Sequence, residues 1–197
     1  MRYLLGIEVH MSKTGIFISQ SKYAHSILKR FNMINSKSSP TLIITRLKLS
    51  KEDEGSKVDP TLFKRLVGSL MYLTTTRLDI MYGVSLISRF METPKESHWK
   101  EGKIVLRYVN GTKYFGIMYS TSEDFRLVGY TDNDCGGNTY DRKSTSGYRF
   151  HFGTGIVSWA SRKKPIVTLS SPEEKYIATT RISCQAVWMR RILKDLL

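Results

Sequence analysis

Apolar and polar residues alternate in two different rhythms along residues 2–33. Residues 2–9 alternate with period two, placing Leu5, Ile7 and Val9 on one face of a strand. Ser12-Lys-Thr-Gly15 has turn chemistry, and Ile16–Ser19 resumes the alternation, so the pair predicts a β-hairpin. From residue 21 the spacing lengthens. Tyr23, Ile27 and Phe31, with Ala24 and Leu28 beside them, form one apolar stripe on a helix over about 21–33, capped by Ser19 or Ser21. Lys22, His25, Lys29 and Arg30 fill its polar face.

Residues 34–60 keep no period. Two polar runs, Ser36-Lys-Ser-Ser-Pro40 and Lys51–Lys57, read as loop, and Asp59-Pro60 reads as a helix breaker. Helical spacing returns over about 61–75 in Leu62, Leu66, Leu70 and Leu73. It recurs over Ile80–Phe90 with Val84, Ile87 and Met91, and again from Lys95 with Ile104, Val105 and Tyr108. These three segments predict a small helical bundle. After Gly111 the period falls back to two. Strands are predicted at Tyr114–Tyr119, Arg126–Tyr130, Gly147–Phe152 and Gly155–Trp159, the last two joined tightly enough to pair antiparallel. A long helix closes the chain from Pro172 to about Asp195, with Ser170 or Ser171 as its N-cap. Its buried face is predicted to carry Ile177, Cys184, Val187, Trp188, Ile192 and Leu196. The fold class is α+β: a helical segment, then an antiparallel sheet with one long helix. That last part is small for a core, and it reads as a domain cut short.

Bulk composition narrows the partners. Hydrophobic residues make up 41% and charged residues 24%, ordinary values for a folded chain. The balance of 31 Lys+Arg against 17 Asp+Glu, a formal +14 with pI near 9.8, is not ordinary. Such an excess favours polyanions, since each phosphate neutralised releases condensed counterions. Cys135 and Cys184 are too few and too far apart for a disulfide framework or a metal cluster, and they suit a reducing compartment. The N-terminus lacks a signal peptide's apolar core, and no apolar run approaches the roughly 18 residues of a membrane span. An intracellular location without a membrane is expected, in the cytoplasm or the nucleus.

The candidate chemistry lies in residues 127–176. The apolar run Leu127–Tyr130 leads into Asp132 and Asp134, and Ser170-Ser-Pro-Glu173 opens the last helix. Two carboxylates on different elements suit a divalent-metal site acting on a phosphodiester, where hard cations take oxygen ligands. Asp132 and Glu173 are the candidate ligands, with Asp134 as an outer one. A second reading of the same residues is structural: Ser170-x-x-Glu173 fits a capping box, and Asp132-Asn-Asp134 before two glycines fits a turn. Arg142, Lys143, Arg162, Lys163 and Lys164 flank the acids and are candidates for gripping a nucleic-acid backbone. His98 and Trp99 at a helix start could stack on a base or be buried. Cys184, on an apolar face, reads as core.

At these motifs the chain closely resembles the C-terminal part of the Pol polyprotein of Copia-type LTR retrotransposons. Tyr3-Leu-Leu-Gly-Ile-Glu8 and Gly15–Tyr23 resemble the end of its reverse-transcriptase region. Leu66–Leu73, Arg77-Leu-Asp-Ile80, Ser88-Arg-Phe90 and Leu106–Thr112 resemble the connecting segment. Gly129-Tyr-Thr-Asp132, Asp141–Tyr148 and Ser170-Ser-Pro-Glu173 resemble the start of the ribonuclease H domain. The resemblance implies residues 1–33 as the reverse-transcriptase edge, 34–60 as linker, 61–112 as helical connection and 113–197 as the first half of a ribonuclease H-like domain. It implies Asp132 as the first metal-binding aspartate and Glu173 as the glutamate, with Mg²⁺ as the ion. The implied partners are an RNA–DNA hybrid or other nucleic acid and the remainder of a Pol polyprotein. The family's activity is RNA-directed DNA polymerisation with hydrolysis of RNA in the hybrid. Its polymerase acids would precede Met1 and its next ribonuclease H acid would follow Leu197, so an inactive fragment is expected. A non-catalytic nucleic-acid-binding remnant and a pseudogene product without function are the alternatives. Cys135, Leu78, Pro172 and Lys175 depart from the family's usual Trp, Pro, Thr and Glu.

Overall fold

The computed structural model describes residues 2–42, 49–51, 53, 55–121, 126–134, 145–163 and 170–196. Among these it is a mixed α+β protein, with two antiparallel sheets and five α-helices. Two compact units follow one another, Met1–Met118 and Tyr119–Leu197.

The first unit opens with β1 (Arg2–Leu4), β2 (Ile7–Ser12) and β3 (Gly15–Ser19), each antiparallel to the next. The single strand expected over residues 2–9 is therefore two. Leu5 and Gly6 turn the chain between them at φ 47° and 76°. A left-handed leucine is costly, and here the Tyr72 hydroxyl fixes the turn by donating to the Leu5 carbonyl. Helix α1 (Ser21–Arg30) is shorter than expected and buries Ala24, Ile27 and Leu28 of the expected stripe, while Tyr23 and Phe31 are half-buried against the same core. Its cap is not the expected serine. Glu8 of β2, itself buried, accepts from the Lys22 amide at 2.7 Å and from Ser21 Oγ at 3.0 Å.

Helix α2 (Pro60–Leu73) begins where a break was expected. Asp59 Oδ1 accepts the Thr61 amide at 2.9 Å as N-cap, and Pro60 occupies the first turn, where no N–H is needed. Its core face is Phe63, Leu66, Val67, Leu70 and Leu73, while Leu62 lies on the exposed side. Helices α3 (Met81–Ile87) and α4 (Glu96–Gly111) complete the bundle, and strand β4 (Gly116–Ser120) takes the place beside β3. Gly102 allows the close approach of α4 to α2, since a Cβ there would lie 2.6 Å from Leu66 Cδ2.

In the second unit β5 (Leu127–Asp134), β6 (Thr145–Phe152) and β7 (Gly155–Lys163) form one antiparallel sheet in the order β5-β6-β7. Gly153, at φ 58°, makes the tight link between the last two strands. Phe150 is buried at the centre of the sheet, where Gly129 leaves room for its ring. Helix α5 (Ser171–Leu196) packs along β5. Ser170 is its N-cap, accepting the Glu173 amide at 3.3 Å.

The buried face of α5 differs from expectation. Ala178 is its buried apolar residue, whereas Val187, Trp188 and Leu196 are more than half exposed and Cys184 is exposed. A small side chain brings the helix close to the sheet at Ala178, while Ile177, Ile182, Met189, Ile192 and Leu193 are half-buried. Among the described residues, no helix is long and apolar enough to cross a membrane.

Candidate functional site

Strand register decides which side chains of the second unit share a surface. Thr131, Tyr148 and Ala160 lie in one cross-strand row, and Ser146 and Arg162 are paired in the next row on that face. The row between them is Asp132, Gly147 and Ser161, which alternation directs to the opposite face. Asp132 is exposed near the end of β5, and Glu173 is exposed in the first turn of α5. The carboxylate of Glu173 stands where the helix macrodipole favours negative charge. Among the described residues, no three His, Cys, Asp or Glu side chains gather closely enough to share a metal ion.

The basic candidates divide. Arg162 and Lys163 end β7 and line a cleft of about 530 Å³ with Thr131, Tyr148, Ala178 and Arg181. Arg142, Lys143 and Lys164 lie outside the described residues, as do Cys135 and the first half, 141–144, of the Asp141–Tyr148 motif. Arg181 did not stand out in the sequence. Its signal was there in the helical spacing Ala178, Arg181 and Gln185, a stripe with no large apolar residue that nonetheless faces the sheet.

In the first unit the residues that invite a binding role have structural ones. His98 is fully buried and stacked on Phe90, with ring centroids 3.8 Å apart. Its Nδ1 accepts the Lys95 amide at 2.9 Å, so Nε2 carries the proton donated to the Ser50 carbonyl at 2.9 Å. Burial holds its pKa below the ordinary histidine value. The ring thus closes the N-terminus of α4, as a glutamate would in a capping box. Trp99 packs on the core beside Phe31 and Phe63. His98 is closed off from any base, and Trp99 is half-buried with Lys103 Nζ over its ring.

Arg77 is 2% exposed. It makes a two-pronged ion pair with Asp79 at 2.9 and 2.7 Å and donates to the Thr112 carbonyl at 2.8 Å and hydroxyl at 2.6 Å. It clamps the end of α4 to the turn before α3.

Comparison with known proteins finds kin over nearly the whole length. The chain is 38% identical over 202 residues to the retrovirus-related Pol polyprotein from transposon TNT 1-94 of Nicotiana tabacum, covering 98% of this chain. It is 36% identical over 196 residues to the retrovirus-related Pol polyprotein from transposon RE2 of Arabidopsis thaliana, covering 100% of it. A third relative, an uncharacterized mitochondrial protein of Arabidopsis thaliana, is 35% identical over 189 residues. The chain belongs to the retrovirus-related Pol polyproteins of transposons. That bears out the Copia-type resemblance. This Pol chain spans 15% and 14% of the lengths of the two Pol relatives, and 78% of the mitochondrial protein. No family model matches it, and no solved structure does. Within the Pol chain, Arg77-Leu-Asp-Ile80 acquires a physical meaning as the clamp just described.

Proposed function

We propose that this chain serves a Pol polyprotein as a nucleic-acid-binding part, its second unit being the opening half of a ribonuclease H-type domain. The observation that carries the reading is the order of elements around the acids. An antiparallel sheet carries Asp132 near the end of its first strand, and the helix that packs along that strand carries Glu173 in its first turn. The domain's substrate is an RNA–DNA hybrid, and the formal charge of +14 suits that polyanion.

Mg²⁺ fits the chemistry of the donors, because Asp132 and Glu173 offer hard carboxylate oxygens at the surface. When bound, the ion supplies an activated water and a counter-charge for the leaving oxygen. Asp132 and Glu173 would each offer the ion a carboxylate oxygen from a separate element, and Arg162 and Lys163 would orient the phosphate backbone. Two metals need three or four acids, and the described residues gather fewer. The chain by itself is therefore read as binding the hybrid without cutting it.

Fluorescence anisotropy with a labelled RNA–DNA hybrid, at several salt concentrations, tests the binding. A steep fall of affinity with salt is expected, and binding that ignores salt overturns the reading. In parallel, Mg²⁺-dependent cleavage that Asp132→Asn abolishes would show that a complete site assembles and would replace the non-cutting reading.

A further inference from the structure

Helix α5 lies along β5, and a cleft of about 530 Å³ opens between the helix and the rest of its sheet. Its walls are unlike those of an underfilled core. Protein interiors are packed to crystal density by interlocking apolar side chains. Here the sheet contributes Ser146 and Ala160 where a core would place a large residue, and the helix contributes Ala178. The remaining space is edged by Arg162 from β7 and Arg181 from α5, with Lys163 next to the former. Among the described residues that line the cleft there is no carboxylate.

Two guanidinium groups brought to one concavity from different elements repel, and a cleft with low-dielectric walls concentrates their field. A shared anion converts that cost into attraction. Guanidinium forks match the oxygens of a phosphate, which accepts paired hydrogen bonds from each. Tyr148 lies on the floor of the same cleft and offers an aromatic surface beside the charged edge. The volume falls within the roughly 300–1,000 Å³ typical of small-molecule sites. Small residues for room, two arginines for a phosphate and one ring for a base are the requirements of a nucleotide.

We propose that the cleft between α5 and β6–β7 binds a nucleoside monophosphate, with the phosphate between Arg162 and Arg181 and the base against Tyr148. The site goes beyond hybrid binding and depends on neither Asp132 nor Glu173. The same chemistry is presented by a free nucleotide and by the 5′-phosphorylated end of a strand.

Isothermal titration calorimetry of the full chain with adenosine 5′-monophosphate, adenosine and inorganic phosphate tests the site. The monophosphate should bind more tightly than either of its parts. Arg162→Gln and Arg181→Gln should each weaken it roughly tenfold or more, as expected for loss of a charge-assisted contact. Ala160→Leu keeps every charge but fills the floor, and should abolish binding while the thermal melt shows a folded protein. Unchanged affinity in Ala160→Leu, or a monophosphate no better than inorganic phosphate, overturns the proposal. Competition by a 5′-phosphorylated dinucleotide, but not by its 5′-hydroxyl form, assigns the site to strand ends. A lack of competition assigns it to free nucleotides. Arg162 serves both readings, so hybrid affinity is measured on Ala160→Leu, which keeps every charge: hybrid binding retained there while the monophosphate is lost separates the two sites.

Discussion

Replacing Arg77 by methionine removes the clamp while nearly preserving its volume. The guanidinium makes four hydrogen bonds, two to Asp79 and two to Thr112, from a position 2% exposed. The two partners respond differently to its loss. Asp79 is 33% exposed and recovers much of its hydration. The Thr112 carbonyl and hydroxyl, at the partly buried end of α4, lose both guanidinium donors, at about 1–3 kcal/mol for each group left unsatisfied. Contacts of the guanidinium with the rings of Tyr108 and Phe115 add about 1 kcal/mol. The expected cost is about 3–5 kcal/mol, in the range for breaking a buried ion pair from one side. Hydrogen exchange of the α4 amides across a urea series reads this unit without interference from the other. Asp79→Asn should cost less than Arg77→Met, and adding it to Arg77→Met should cost little more, because the pair is already broken. A loss below about 1 kcal/mol for Arg77→Met would refute the clamp.

Three further outcomes follow from the first unit. His98 is held neutral by burial, so its folded pKa lies below its unfolded one. Stability should therefore fall as pH drops below the ordinary histidine value of about 6.5, by up to about 1.4 kcal/mol per pH unit until the folded pKa is reached. His98→Gln should flatten that slope in α4 exchange, and an unchanged slope would clear His98 of the effect. Gly102→Ala gains up to about 1 kcal/mol of helix propensity but drives a methyl into the fully buried Leu66. Net destabilisation of about 1–2 kcal/mol is expected in urea unfolding, and a more stable variant would contradict the packing. Asp59→Ala removes the α2 cap and should cost about 1 kcal/mol, seen as faster exchange in the first turn of α2.

Periodicity located nearly every element because burial imposes it. The stripe Ala24, Ile27 and Leu28 and the β6–β7 hairpin were legible for that reason. What sequence order hid was anything set by a distant partner. Asp59-Pro60 read as a breaker, yet the same residue types start a helix when the chain folds forward from them. The apolar content of α5 suggested that Val187 and Trp188 are buried, whereas the helix meets its sheet through Ala178 and leaves both exposed. Asp132 and Glu173 were visible as acids on two elements. The cleft at Arg162 and Arg181 was not, because two residues on different elements share a surface only once register and helix phase are known.

The carboxylate of Glu8 has a consequence for how the N-terminal region opens. A helix capped from within can fray alone, but α1 takes its acceptor from β2, thirteen and fourteen residues earlier in sequence. Pulling the hairpin away would uncap α1, and melting the first turn of α1 would strand a buried charge in the sheet. Strand and helix should thus exchange their amide protons as a single foldon, with Val9 and Lys22 opening at one common rate.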